Sequence, residues 1–201
     1  MTQSTTTLAV FDFDDTLING DALWPFLAYV AGAVDFTEAC IEIFASLAWK
    51  RFIHAPEAQD IGTFTKTAFA QKLLAGKRVE QLTPALEKLS RWQTWNEPMR
   101  QALLEHAAKG HHIVIASGSL DLYMPHLIKD LPHNALICTA IGVADGVITG
   151  ELSIGNCVKE RKAELVKEYI VRHGPFDDSW GYGNFPPDVP MLKLLKQQIL
   201  V

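Results

Sequence analysis

The chain has 201 residues, of which 48% are hydrophobic and 20% are charged, a composition that excludes disorder and allows one core with a sizeable insertion. Its formal net charge of −5, without a basic patch, argues against a nucleic-acid binding protein. Three widely spaced cysteines form neither a disulfide framework nor a metal knuckle, which favours a reducing, cytoplasmic location.

Two segments bear on export and membranes. The N-terminal residues 1–7 lack the basic start and apolar core of a signal peptide. The longest uncharged run, 22–34, contains Pro25 and Gly32 and is too short to span a bilayer, so we interpret it as a buried helix. The sequence therefore predicts a protein without a membrane span, and its oligomeric state stays open.

The predicted elements begin with an apolar run at 8–11, which indicates a strand buried on both faces at the centre of a parallel sheet. From 21 to about 95 the periodicity is helical, which predicts a small helical bundle inserted after that strand. Further strands are predicted at 111–116, 135–140, 180–182 and 198–201, a hairpin at 141–154, and helices at 36–52, 57–74, 79–92, 98–109, 120–128, 159–172 and 189–196. This order predicts an α/β fold with a parallel sheet.

Polar side chains follow the ends of these strands or begin the helices after them. They are Asp12, Asp14, Ser117, Lys162, Asn184 and Asp188. Taken singly, Ser117 fits a helix N-cap, Lys162 a solvated helix face, and 184–188 a turn. Because ligands bind beyond the carboxyl ends of parallel strands, we expect these side chains to converge on one site. Carboxylates suit a metal, and a hydroxyl with an ammonium suits an anion, so the set fits phosphoryl transfer.

Four motifs in this chain resemble those of the haloacid dehalogenase (HAD) superfamily, in the same order. Residues 12–17 are similar to its DxDxT signature, 113–118 to motif II, 156–162 to motif III with Lys162 as the functional lysine, and 183–192 to motif IV. Lys159 stands where relatives usually have Gly. The helical insert resembles a type C1 cap, and the whole chain fits subfamily IB, which contains phosphoserine phosphatase.

The resemblance implies a fold and a mechanism. The fold is a Rossmann-like α/β core of three layers with a parallel sheet, formed by 1–18 and 96–201, and an all-helical C1 cap at 19–95. Asp12 is the expected nucleophile that forms an aspartyl-phosphate, and Asp14 is the expected general acid and base. The phosphate oxygens are expected to be held by Ser117, Gly118 and Lys162.

The resemblance also implies Mg²⁺ as cofactor, held by Asp12, the main-chain oxygen of Asp14, Asn184 and Asp188, while Thr16 supports the motif I loop by hydrogen bonding. Asn184 departs from the family pattern, which has Asp at this position. Because hard cations favour carboxylates, the sequence predicts weaker Mg²⁺ affinity without loss of activity, and tighter binding in an Asn184→Asp variant. Whether Asn184 or Asp188 ligates directly stays open.

Substrate choice is assigned to the cap. Asp21 and Trp24 are the candidate substrate contacts, although Asp21 also fits a helix N-cap and Trp24 also fits cap core. A closing cap limits substrates to small molecules. We therefore expect a cytoplasmic, Mg²⁺-dependent phosphomonoesterase of a small phosphorylated metabolite. The alternatives are a phospholipid-headgroup phosphatase or a phosphomutase on the same fold, and a non-catalytic phosphate-binding relative.

Overall fold

The structure is a computed structural model that describes residues 6–201. Most of the segment 1–7, for which the sequence predicts no signal peptide, lies outside the described residues. The strands are β1 (Thr7–Phe11), β2 (His112–Leu120), β3 (Ala135–Thr139), β4 (Ile141–Ala144), β5 (Val147–Leu152), β6 (Asp178–Gly183) and β7 (Gln197–Leu200). The α-helices are α1 (Leu23–Ala31), α2 (Ala33–Phe52), α3 (Ile61–Phe69), α4 (Thr83–Trp92), α5 (Glu97–Ala108), α6 (Met124–Leu127), α7 (Lys159–His173) and α8 (Val189–Leu192). Among these residues no helix is both long and apolar enough to cross a membrane.

A parallel sheet with strand order β3-β2-β1-β6-β7 forms the centre of the first compact unit. Its middle strand β1 is buried along its whole length, as the apolar run predicts. Leu8 and Val10 pack on one face with Val166 of α7, whereas Phe11 meets His106 of α5 on the other face. Helices therefore cover both faces, and the predicted three-layer α/β fold is confirmed.

Contacts divide the chain into two compact units. The first contains the chain up to Ala22 together with Gln93–Thr139 and Asn156–Val201, and the second contains Leu23–Trp92 and Ala140–Gly155. The β4–β5 hairpin thus groups with the helices, because the main chain of Ile148 exchanges hydrogen bonds with Gly76 and Lys77. The predicted α/β segment 96–201 includes this peripheral hairpin, whereas the structure groups it with the helices. The assignment of 19–95 as a cap stays a proposal.

The helical unit is more broken than its periodicity indicated. In place of one helix at 57–74, a 3₁₀ turn, helix α3 and a π-helical turn (Ala70–Leu74) follow each other, and Asp60 caps α3 by accepting from the Thr63 amide. The predicted helix 79–92 is a 3₁₀ turn followed by α4, which begins immediately before Pro84. Proline has no amide hydrogen to donate, and the first turn of a helix tolerates this.

The largest difference from prediction in the first unit lies after β2. The strand was expected to end at 116 and to be followed by a helix at 120–128; it runs to Leu120, and the helix is only the short α6. Ala116 pairs with Ile137 and Leu120 with Thr139, so four steps along β2 match two along β3. Such a bulge changes the direction in which side chains point, and here it falls on the segment 117–119.

Candidate active site

Strand β1 ends at the first two carboxylates of the site. The amide of Asp12 donates to the Tyr182 carbonyl of β6 at 2.9 Å, which extends the ladder by one residue. The chain then folds back: the amides of Leu17 and Ile18 both donate to the Phe13 carbonyl. This tight turn fixes the direction of the main chain on both sides of Asp14.

A buried ion-pair cluster joins Asp12, Lys162 and Asp188. The Lys162 ammonium donates to Asp12 Oδ1 at 2.7 Å and to Asp188 Oδ1 at 2.6 Å. All three residues are at most 4% exposed, so Lys162 does not belong to a solvated helix face. Buried ions are tolerated only where opposite charges lie beside them, and the single Lys162 ammonium serves both carboxylates.

This cluster changes the proton affinities of Asp12 and Lys162. Burial raises the pKa of Asp12 to about 6, and the nearby Asp188 adds to the increase although Lys162 opposes it. Burial alone would lower the pKa of Lys162, but the two carboxylates outweigh it and hold that pKa above its usual value. Lys162 is therefore a permanent cation in the site.

The loop between β6 and α8 places Asp188 beside Lys162. The amide of Asn184 donates to Asp188 Oδ2 at 3.0 Å, and the Asp188 carbonyl accepts from the Leu192 amide in α8. Gly183 permits this arrangement, because a Cβ there would lie 2.8 Å from Asp188 Cβ. Residues 184–188 therefore form more than a solvated turn, since Asp188 is buried and ion-paired.

Asp14 is held by uncharged donors. Its Oδ1 accepts from the Ala22 amide at 2.9 Å, and its Oδ2 accepts from Ser119 Oγ at 2.5 Å and Ser117 Oγ at 3.3 Å. Burial, with the charge of Asp21, raises the pKa of Asp14 to about 7 although the Ser119 and Ala22 hydrogen bonds oppose it. A carboxyl with this pKa can both donate and accept a proton near neutral pH.

The bulge in β2 supplies the hydroxyl groups of the site. Ser117 was predicted, and its Oγ also accepts from the Ser119 amide at 3.0 Å; it lies in a strand and caps no helix. The Gly118 carbonyl accepts from Thr139 Oγ1, which in turn accepts from the Cys157 amide. Ser119 and Thr139 are not among the residues predicted for the site; the second hydroxyl of Ser-Gly-Ser was the available signal for Ser119.

Three further predicted residues have different surroundings. Thr16 is buried, but its Oγ has no hydrogen-bond partner among the described residues, so the predicted supporting bond is not made. Asp21 is exposed and acts on Asp14 through its charge. Trp24 belongs to the helical unit, where its ring meets Phe69 edge-on at 5.3 Å, and a role for it in substrate binding stays a proposal.

The sequence pattern of haloacid dehalogenase-like hydrolases matches residues 9–193. The chain belongs to this family. No curated protein sequence matches it.

Solved structures share the fold of this HAD hydrolase. A protein of unknown function from Bordetella pertussis Tohama I is 21% identical with a TM-score of 0.80, over 98% of this chain and 90% of that one. A phospho-aspartyl intermediate analogue of phosphoserine phosphatase is 19% identical with a TM-score of 0.65, over 98% and 86%. A substrate-bound phosphoserine phosphatase is 19% identical with a TM-score of 0.64, over 98% and 87%.

One departure of this HAD hydrolase from its family's motif III has a structural explanation. Lys159, where relatives usually have Gly, has a φ of 50°. That is the left-handed region, which glycine enters freely and a lysine enters only at a cost in energy. The backbone at the start of α7 therefore has a conformation that a glycine at position 159 would adopt without strain.

The oxygen atoms of the site fit a hard divalent cation. Asn184 Nδ2 donates to the Asp14 main-chain oxygen at 3.2 Å, while Asn184 Oδ1 is buried and has no hydrogen-bond partner among the described residues. A cation would satisfy that orphaned oxygen. In the described part of the chain, acids, histidines and cysteines alone form no group of three for a metal. The fit therefore depends on Asn184 and the main-chain oxygen beside Asp12 and Asp188.

Proposed function

We propose that this HAD hydrolase is a Mg²⁺-dependent phosphomonoesterase that acts through an aspartyl-phosphate on Asp12. The observation that carries the proposal is the different environment of two carboxylates two residues apart. Asp12 is paired with a permanent cation, whereas Asp14 is held by uncharged donors and has a pKa of about 7. A carboxylate held against a fixed cation suits nucleophilic attack, and a carboxyl held by uncharged donors suits proton transfer, so the two sets of partners assign the two roles.

Asp12 is the proposed nucleophile. Lys162 and the end of β1 fix its carboxylate, so little reorganisation precedes attack on phosphorus. The same ammonium offsets the negative charge that gathers on the phosphate oxygens in the transition state. Ser117 and Gly118 lie in the bulge of β2, and they would contact the same phosphate oxygens. When bound, Mg²⁺ would neutralise phosphate charge; Asp12, Asp188, Asn184 and the Asp14 carbonyl are its proposed ligands.

Asp14 is the proposed general acid and base. In its protonated form it gives a proton to the leaving alcohol, and the resulting carboxylate then takes one from the water that hydrolyses the aspartyl-phosphate. Its pKa of about 7 keeps both forms available near neutral pH.

The test is hydrolysis of p-nitrophenyl phosphate with added Mg²⁺ and with a chelator. We expect turnover that requires the metal and falls by at least about a thousandfold in Asp12→Asn, because the nucleophile is lost. Asp130→Asn makes the same chemical change at an exposed position of the same unit and is the matched control. Equal activity of Asp12→Asn and the control, or turnover independent of the metal, would refute this mechanism.

The proposed substrate is a small phosphorylated metabolite in the cytoplasm. Because two of the similar structures are phosphoserine phosphatases, phosphoserine is the first substrate to try, followed by other phosphorylated small molecules. Asp21 and Trp24 remain the proposed substrate contacts. The expected outcome of Asp21→Asn is a changed KM for the natural substrate with an unchanged KM for p-nitrophenyl phosphate.

A further inference from the structure

We propose that Ser119 and Tyr123 form a positioning pair that fixes the Asp14 carboxyl for proton transfer, an inference that rests on the phosphatase function proposed above. Neither residue contacts the phosphate in this proposal. Tyr123 acts on Ser119, and Ser119 acts on Asp14. Both are therefore positioning residues, and the group that transfers the proton is Asp14.

The pair is a one-way chain of buried hydroxyl groups. Tyr123 Oη donates to Ser119 Oγ at 2.9 Å, and Ser119 Oγ donates its own proton to Asp14 Oδ2 at 2.5 Å. Tyr123 is fully buried and Ser119 is 3% exposed. A serine hydroxyl has a single proton, so accepting from Tyr123 leaves that proton for Asp14.

The chain fixes the plane of the Asp14 carboxyl. The Ala22 amide binds only Oδ1, and a carboxyl with one bound oxygen can still rotate about its Cβ–Cγ bond. Ser119 binds Oδ2 at short distance, whereas Ser117 reaches the same oxygen at 3.3 Å. With both oxygens held, the proton-bearing atom stays in one orientation, as efficient transfer requires.

The local backbone is shaped for this contact. Consecutive strand residues point to opposite faces, and residues 117 and 119 share a face. The bulge between Ala116 and Leu120 keeps both serines on the carboxyl of Asp14 while β3 continues beside them. If Tyr123 served packing alone, phenylalanine would fill the same space without a buried hydroxyl that needs a partner.

The test compares Ser119→Ala, Tyr123→Phe and the double variant, with Ser46→Ala, an exposed serine of α2, as matched control. With p-nitrophenyl phosphate as the substrate, we expect Ser119→Ala to lower kcat about tenfold to a hundredfold with little change in KM, because the orientation of Asp14 matters most in the transition state. Tyr123→Phe should lower kcat about threefold, and the double variant should equal Ser119→Ala, since Tyr123 acts through Ser119. Ser119→Thr, which keeps the hydroxyl, should stay within about threefold of the wild type.

Two results would overturn the proposal: a wild-type kcat in Ser119→Ala, or a Tyr123→Phe effect that persists undiminished without the Ser119 hydroxyl. A second measurement does not depend on activity. The ¹³C resonance of the Asp14 carboxyl, assigned with Asp14→Asn, should shift or broaden in Ser119→Ala, and an unchanged resonance refutes the pair. An inert wild type whose resonance still responds refutes the phosphatase function and retains the pair.

Discussion

The two sides of the site hold the same kind of residue in opposite ways. On the charged side, Asp12 meets the ammonium of Lys162, which stands 150 residues later in the chain. On the neutral side, Asp14 meets an amide and two hydroxyls, with Ser119 standing 105 residues later. The difference shows that two carboxylates of one motif have different electrostatic surroundings, because side chains from distant parts of the chain bind each of them.

Lys162→Met should have the largest effect on the charged side, because it removes the cation of the buried ion-pair cluster. This change leaves two buried carboxylates without their cation, so we expect the free energy of unfolding to fall by about 3 kcal/mol or more. We also expect kcat for p-nitrophenyl phosphate to fall by at least about a thousandfold. Urea unfolding and steady-state kinetics measure the two effects. Lys167→Met, at an exposed position of the same helix, should change neither, and a small loss in Lys162→Met comparable to this control would contradict the account.

The neutral side is tested through the pH dependence of stability in the metal-free protein. Because the folded-state pKa of Asp14 is about 7, above that of an unfolded aspartate, its contribution is complete at low pH. That stability is lost as pH rises from the ordinary aspartate value of 3.8 to about 7. In Asp14→Asn the free energy of unfolding should fall less steeply with pH, by a slope equivalent to up to about one proton. Asp12, whose pKa is about 6, still contributes to the slope in this variant. Urea unfolding over this range with a chelator provides the measurement; an unchanged slope in Asp14→Asn would count against the raised pKa.

Asn184 links the two sides, because it binds the main chain of Asp14 and the carboxylate of Asp188. Asn184→Asp adds a charge at this link, so we expect Mg²⁺ to bind about tenfold more tightly, or about 1.4 kcal/mol. The increase in melting temperature with Mg²⁺ concentration reports the affinity directly. Gln197→Glu, which adds a charge on the exposed edge strand, is the control. Unchanged or weaker affinity would show that Asn184 is not a ligand.

Most of the sheet and the main site residues were accessible from the sequence, for physical reasons. The run 8–11 is uniformly apolar because β1 is buried on both faces, and an acid directly after such a run has few structural explanations. Lys162 lies at the level of Asp12 because α7 packs on the same sheet. The order of the motifs and the topology of the sheet were therefore enough to predict that Asp12, Lys162 and Asp188 lie together.

Only half of the neutral side could be predicted from the sequence. A Ser-Gly-Ser segment after an apolar run is typical of a turn before a helix, and nothing local reveals that it continues as a bulged strand beside β3. Tyr123 has the same difficulty, since its hydroxyl acquires its partner only once that bulge exists. The grouping of the hairpin with the helices depends on main-chain bonds to Gly76 and Lys77, which leave no trace in hydrophobic periodicity.

The smallest expected effect concerns the backbone at the start of α7, the helix that carries Lys162 of the charged side. Lys159 begins the helix that carries Lys162, and it does so with a left-handed φ of 50°. Lys159→Gly should relieve this strain and raise the free energy of unfolding by about 1 kcal/mol, the cost of a left-handed residue with a Cβ less the entropy that glycine adds to the unfolded chain. Lys159→Ala removes the same charge but keeps the Cβ, so it should gain less than half as much. A gain of equal size in both variants would assign the effect to the charge near the helix N-terminus instead of to the backbone.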